Sequence, residues 1–247
     1  MHRFLLSVCI FMVMDVLVAR AGEEATYIEQ SVTLESVPGQ MSSSGTQKIW
    51  FTDHQLRNET TYGDLTSVAM FDLRQRRVVL IPGVARQYIE LGLSEYQDIV
   101  AMRLSISGLT DPDAEPELTR TEEQKKIGEW DCVKYLYEQG GEIPVRAVLW
   151  VSSDTGVDFA TYVRLMETLG LQKMLGGLAG MVKLLEGYPV MVETEQVVQE
   201  QKIISRHEVK RISRVPAESK LFVVPDGYER IKDESLQPGK ADKGGKK

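Results

Sequence analysis

Apolar and polar residues alternate along most of this chain, and the two-residue period constrains the fold more than any other sequence feature. Between Ala25 and Leu34, for example, Ile28, Val32 and Leu34 share one parity and polar residues take the other. Short polar or glycine-containing turns separate these segments, and Asp53-His54 predicts a hairpin turn between two of them. Short alternating strands joined by tight turns predict an antiparallel sheet with one buried face.

The period changes once, in the segment from Gly156 to Glu186, where apolar residues recur every three or four positions. Gly170 predicts a break between two helices, and Gly187 with Pro189 ends the block. A separate helix is predicted from Ser94 to about Leu104. Strands, one helical block and further strands predict the α+β class: an open antiparallel β-sheet, or half-barrel, with a helical pair covering one face.

The first 21 residues have the features of an export signal. Met1-His2-Arg3 is a short basic start, residues 4–14 are apolar, and Ala19-Arg20-Ala21 matches a cleavage pattern before Gly22. The apolar run is shorter than the about 20 residues that span a bilayer. We therefore expect a periplasmic or secreted bacterial envelope protein with no stable membrane span; an uncleaved anchor is the alternative. Residues 22–236 are expected to form a single domain and residues 237–247, which include four Lys, a disordered basic tail.

The charge balance excludes one class of partner. Lys and Arg number 29 against 36 Asp and Glu, which gives a formal net charge of −7. An acidic chain has no electrostatic attraction to nucleic-acid phosphates, so nucleic acid is not an expected partner.

Cleavage before Gly22 leaves Cys132 as the single cysteine, so the exported protein must be stabilised by its core rather than by intramolecular disulfides.

The residue patterns that carry catalysis or metal binding are missing from the sequence. Cys132 would need a histidine partner as a nucleophile, and no motif connects it to His54 or His207. The stretch Gly108 to Glu117 is predicted to be a solvated acidic loop, because it lacks the spacing of a calcium loop, and strand character resumes at Lys126. Two histidines and one cysteine are too scattered for zinc. We therefore expect no enzyme activity, no cofactor and no metal.

Several short motifs, taken in order, resemble one protein family. The motifs are Lys48 to Phe51, Leu56-Arg57, Ile127 to Tyr135, Leu149 to Ser152, Gly187 to Val190 and Phe222 to Tyr228. Their order and spacing, over roughly residues 25–232, are similar to those of uncharacterised secreted bacterial proteins classed as a domain of unknown function. That family resembles the periplasmic lipoprotein-carrier fold, an open antiparallel half-barrel closed by helices. The resemblance implies the fold and the compartment, and in the carriers an apolar cavity between sheet and helices holds acyl chains.

Methionines are concentrated in the helical block and suggest residues for such a cavity. Thioether side chains are flexible and polarisable, which suits changeable apolar contents, although a methionine stripe also suits an ordinary core helix. The tentative ligand-lining residues are Met166, Met174 and Met181 from the helices and Phe51, Met70 and Trp150 from the strands. The first hypothesis is a non-catalytic envelope protein that binds or carries an apolar, lipid-like ligand between sheet and helices. The alternative is a structural or interaction protein of the envelope, with a fully packed core, no ligand and a protein partner.

Overall fold

The computed structural model describes residues 23–37, 40–107, 116–140, 144–170, 184–198 and 201–232. The strands in these ranges are β1 (Glu24–Val37), β2 (Gln40–Phe51), β3 (Gln55–Tyr62), β4 (Leu65–Asp72), β5 (Arg77–Ile81), β6 (Gln87–Gly92), β7 (Pro116–Ile127), β8 (Trp130–Gln139), β9 (Val145–Ser152), β10 (Tyr188–Val198), β11 (Gln201–Pro216) and β12 (Glu229–Ile231). The helices are α1 (Leu93–Ser107) and α2 (Phe159–Thr168), and Ser219–Phe222 forms a 3₁₀ turn. The predicted export signal and basic tail lie outside the described residues.

The twelve strands form one open sheet in the order β12-β6-β5-β4-β3-β2-β1-β11-β10-β9-β8-β7. Neighbouring strands are antiparallel, apart from the parallel pair of β12 and β6. Strands β12 and β7 are the two edges of the sheet, which therefore does not close into a barrel. The predicted fold class, an open antiparallel sheet with helices, is confirmed.

Strand β1 lies in the middle of the sheet and defines its two faces. Ile28, Gln30 and Val32 are buried on one side of β1, and Glu29 and Ser31 alternate with them. We call the side that carries Ile28, Gln30 and Val32 the inner face, and the opposite side the outer face. Residues paired with an inner-face position on a neighbouring strand lie on the same face, so the register extends this definition across the sheet.

The two helices pack together against one end of the inner face. Tyr162 of α2 contacts Phe51 with ring centroids 5.4 Å apart, and Tyr96 of α1 contacts Phe71 at 5.3 Å. Phe51 and Phe71 share the face because both pair with Leu56 across β3. We call this region, which α1 and α2 cover, the helix-covered end.

The described helical pair differs from the predicted pair in one respect. Helix α2 begins after Asp158, whose carboxylate accepts a hydrogen bond of 3.0 Å from the Thr161 main-chain N–H, and this bond caps the helix. It ends before Gly170, which has a φ of +72°, so the predicted end of the first helix at this glycine is confirmed. The partner of α2 in the described structure is α1, since the Gln97 side chain donates to the Thr168 carbonyl oxygen at 2.8 Å. The second predicted helix falls largely on residues 171–183, outside the described residues.

Strand β7 begins earlier than the sequence pattern predicts. Strand character was expected from Lys126, but β7 starts at Pro116, inside the predicted acidic loop. The strand is rich in charged residues and forms an edge of the sheet. Buried and exposed residues therefore do not alternate along it. Charged side chains on an edge strand prevent pairing with other chains, and here they also hide the strand from a hydrophobicity pattern.

Candidate functional site

The inner face carries no formal charge over the middle of the sheet. From Ile28 to Leu34 on β1, and at the paired positions of six neighbouring strands, the inward residues are all uncharged. These residues are Ile28, Gln30, Val32, Leu34, Ser43, Gly45, Gln47, Ile49, Asn58, Thr60, Tyr62, Leu65, Ser67, Ala69, Ala147, Leu149, Val192, Thr194, Ser205, His207, Val209 and Ile212. Charged residues of the same segments, such as Glu29, Lys48 and Glu59, take the outward positions.

A row of hydrogen-bonded polar side chains crosses this uncharged surface on β11, β1, β2 and β3. We call His207, Gln30, Gln47 and Asn58 the amide row. The Gln30 side-chain N–H₂ group donates to Gln47 Oε1 and contacts His207 Nδ1 at 3.3 Å, and Gln47 Nε2 donates to Asn58 Oδ1 at 2.9 Å. Gln30 is buried, and a buried amide is destabilising unless its hydrogen bonds are made. The row meets this requirement for the Gln30 amide nitrogen.

Burial and the contact with Gln30 both favour a neutral His207 ring. The Gln30 amide nitrogen donates, so a neutral ring that accepts at Nδ1 carries its proton on Nε2. Burial lowers the pKa of His207 from its ordinary value of 6.5, so the ring is neutral at pH 7. The amide row is therefore polar but uncharged.

The row leaves hydrogen-bonding capacity unused within the described part of the chain. Asn58 Nδ2 and His207 Nε2 are donors and Gln30 Oε1 is an acceptor, and none of the three makes a further hydrogen bond to a described residue. Asn58, Gln47 and His207 are each partly exposed. A molecule lying on the inner face can therefore reach both donors and acceptors here.

Beyond the amide row, away from the helix-covered end, the inner face becomes apolar again and is open. Leu34, Tyr62 and Leu65 are 41%, 38% and 52% exposed. The Tyr62 ring lies against Gly45, where an added Cβ would come within 2.7 Å of Tyr62 Cδ1. We call this region the open end. Along β1, the inward residues thus change from apolar Ile28 to polar Gln30 and back to apolar Val32 and Leu34.

The predicted ligand-lining residues do not all lie together. Phe51 is 2% exposed, lies on the inner face and contacts α2, which also carries the half-buried Met166. Trp150 belongs to the same core cluster as Phe51, with Lys125 Nζ 5.3 Å from its ring centroid, although the strand register gives it the parity opposite to the inward Leu149. Met174 and Met181 lie outside the described residues.

Met70 lies on the outer face and so does not share the helix-facing side of the sheet with Phe51, contrary to the prediction. It packs with Val68, Val79 and Ile81, while its neighbour Phe71 belongs to the inner cluster. Alternation along β4 correctly predicts two parities, but it does not decide which parity points to the helices.

Sequence reasoning missed the amide row. In the sequence, Gln30 interrupts the inward apolar series of Ile28, Val32 and Leu34. A polar residue at an inward position was the one sign of a polar site on this face. A second inner-face feature that was missed is Tyr135, which is 3% exposed and whose hydroxyl has no hydrogen-bond partner among the described residues. Tyr135 lies in the same register row as His207, connected through Leu149 and Val192.

Two groups of titratable residues lie away from this surface. His54 Nδ1 is hydrogen-bonded to Asp53 Oδ1 and lies 3.4 Å from Glu23 Oε1, in an arrangement of ligand types that a divalent cation accepts. The bond from His54 lowers the pKa of Asp53, and the Arg74 guanidinium lies 3.6 Å from the same carboxylate and competes with a cation. We interpret these contacts as stabilising the turn between β2 and β3.

The Cys132 thiol is 2% exposed and donates to the Trp130 carbonyl oxygen at 3.6 Å. Burial raises its pKa, which disfavours the reactive thiolate.

In the described ranges, no helix has the length and apolar character needed to cross a bilayer.

The comparison with known protein families gives one match. A family model described as a domain of unknown function, DUF4412, matches residues 29–228. Among the curated proteins, none matches the chain.

Three solved structures match the chain at low sequence identity. PNGF-II matches with 10% identity and a TM-score of 0.36, over 86% of this chain and 31% of its own. The MucA/MucB complex of Pseudomonas aeruginosa matches with 12% identity and a TM-score of 0.40, over 79% of this chain and 55% of its own. A protein described as a putative outer membrane lipoprotein-sorting domain from Vibrio parahaemolyticus matches with 8% identity and a TM-score of 0.30, over 80% of this chain and 88% of its own. The chain thus spans about a third of the first structure and about half of the second.

Proposed function

The chain belongs to the DUF4412 family, a domain of unknown function, and from this premise we propose that it is a non-catalytic envelope protein that binds a lipid-like ligand on the inner face of its sheet. The match over residues 29–228 confirms the family resemblance deduced from the sequence motifs. The assignment to the envelope rests on the export signal predicted in the first 21 residues.

One observation carries the proposal: the open end exposes apolar side chains on a surface without formal charge. Leu34, Tyr62 and Leu65 lie on the same face, and their exposed apolar area is unfavourable in water. Grouped exposed apolar residues are typical of binding surfaces, whereas single ones are ordinary. An apolar ligand that lies along the inner face would remove this area from water.

The position of the ligand follows from the packing at the helix-covered end. Tyr162 lies 5.4 Å from Phe51 and 5.6 Å from Tyr188, and Phe159 lies 6.0 Å from Tyr188, measured between ring centroids. Burial raises the pKa of both Tyr162 and Tyr188, as expected for hydroxyls enclosed in a core. These rings pack between α2 and the sheet, which favours the open end as the binding region.

The packed rings are also the observation that favours the alternative function, a structural or interaction protein without a ligand. The two functions differ in the role of the open end, which is either a ligand surface or a surface that a protein partner covers. Ligand uptake by the isolated protein therefore distinguishes them.

The test uses the protein that begins at Gly22, purified from the envelope fraction. Native mass spectrometry with solvent extraction identifies a copurifying molecule, and the fluorescence of N-phenylnaphthylamine, an uncharged apolar probe, reports uptake. We expect a bound apolar molecule or saturable uptake of the probe. A ligand-free mass together with no uptake would contradict the proposal and leave the interaction protein.

A matched pair of variants locates the site. Leu34→Asp places a charge on the inner face of β1, whereas Thr33→Asp places the same charge on the outer face one residue away. Leu34 is 41% exposed, so the substitution leaves the core intact. We expect Leu34→Asp to abolish uptake and Thr33→Asp to retain it; equal uptake by both variants would contradict the assignment to the inner face.

A further inference from the structure

The amide row offers hydrogen bonds without charge. Its unused groups in the described chain are the donors Asn58 Nδ2 and His207 Nε2 and the acceptor Gln30 Oε1. Hydroxyl, ester and amide groups use both kinds of partner, so an uncharged polar group satisfies the row best.

The surroundings of the row disfavour an ionic ligand. A carboxylate or phosphate that leaves water requires a compensating positive charge, and an uncompensated buried ion is strongly destabilising. Within the segments around the row, the cationic side chains Lys48 and Arg206 take outward positions. His207 supplies no charge either, because its Nδ1 accepts from Gln30 and burial keeps the ring neutral.

The row also has the right position for the polar group of an amphiphile. Val32 follows Gln30 by two residues on the same face, and Leu34 by four, which corresponds to about 7 Å and about 13 Å along the strand. Tyr62 pairs with Gly45, directly beside Val32, and widens this apolar strip. A polar group bound at the row therefore leaves an attached chain lying over Val32, Leu34 and Tyr62.

We infer that the ligand of the inner face is an uncharged amphiphile, with its hydroxyl, ester or amide group bound by Gln30, Asn58 and His207 and its apolar chain on the open end. This inference rests on the proposed function and adds the chemical class of the ligand. It excludes fatty acids and phosphorylated lipids as the preferred ligands.

The experiment compares three ligands that share one chain length and differ in their head groups: dodecanoyl glycerol, dodecanoate and dodecyl phosphate. Each is titrated against the protein loaded with N-phenylnaphthylamine at pH 7.5, a value chosen because His207 is neutral there. We expect dodecanoyl glycerol to displace the probe and both anions to bind about tenfold more weakly or worse, since neither anion gains a counter-charge.

The outcomes separate this inference from the proposed function. Equal or tighter binding of either anion would overturn the inference while the protein would still be a lipid-binding protein. Failure of the wild-type protein to take up the probe or any of the three amphiphiles would overturn both.

A charge introduced into the row tests its position. Asn58→Lys puts an ammonium group beside the head group and should reverse the order, so that dodecanoate binds more tightly than dodecanoyl glycerol. The control Lys48→Gln removes a charge from the outer face next to the row and should keep the wild-type order. An unchanged order in folded Asn58→Lys protein would contradict the placement of the head group; if this variant does not fold, the wild-type series still decides the ligand class.

Discussion

Arg57 on β3 donates a hydrogen bond of 3.1 Å from Nη1 to the main-chain oxygen of Leu221, which is 164 residues away in the sequence. The same guanidinium pairs with Glu59 at 2.9 Å and contacts Met70 Sδ at 3.4 Å, and its side chain is only 13% exposed. Arg57 therefore holds the segment around the 3₁₀ turn against the outer face of the sheet.

Removal of this contact should destabilise the protein. Arg57→Ala leaves the Leu221 carbonyl and the Glu59 carboxylate without their partner, and we expect the free energy of unfolding to fall by about 1–3 kcal/mol. Lys220→Ala is the control, because Lys220 is 78% exposed and its ion pair with Glu218 lies at the surface. Its effect should stay within about 0.5 kcal/mol. Urea unfolding measures both variants, and equal losses would show that Arg57 does not anchor the segment.

Local chemistry was enough to predict the β2–β3 hairpin. Asp53 and His54 separate two alternating segments in the sequence, and the structure pairs Phe51 with Leu56 across that turn. The end of α2 before Gly170 was predictable for the same reason, since a positive φ favours glycine at a helix terminus.

The amide row could not be predicted because it depends on contacts that are distant in the sequence. Gln30 and His207 are 177 residues apart and meet only because β1 pairs with β11 in one register. An alternating pattern specifies that Gln30 points to the same side as Ile28, but not which strand lies beside it. The register of the whole sheet, rather than any motif, assembles the candidate site.

The buried Cys132 thiol should be inert in the folded protein. It is 2% exposed and its pKa is raised by burial, so both access and ionisation limit its reaction with iodoacetamide. We expect no alkylation under native conditions and stoichiometric alkylation in denaturant, measured by intact mass. Rapid native labelling would contradict the structural role of this residue.

His207 should make the stability of the protein depend on pH. Burial places its folded-state pKa below the ordinary value of 6.5, so the unfolded state binds the proton first. The stabilisation is complete above about pH 6.5 and decreases as the pH falls from there through the lowered pKa of the folded state. Protonation of Nδ1 would also remove the acceptor for Gln30.

The measurement is the free energy of unfolding as a function of pH, compared between wild-type protein and His207→Gln. Glutamine has no titratable group. As the pH falls below 6.5, the free energy of unfolding should therefore decrease less in the variant than in the wild-type protein. Identical pH profiles for the two proteins would show that His207 is not desolvated in the folded state.

The helix-covered end and the open end should respond differently to truncation. Phe51 is 2% exposed and packs against Tyr162, so Phe51→Ala should lower the free energy of unfolding by about 3–5 kcal/mol, as for other buried aromatic residues. Tyr62 is 38% exposed at the open end, and Tyr62→Ala should cost less than about 1 kcal/mol while weakening uptake of N-phenylnaphthylamine. A small cost for Phe51→Ala, together with unchanged uptake by Tyr62→Ala, would place the ligand beneath α2 instead of at the open end.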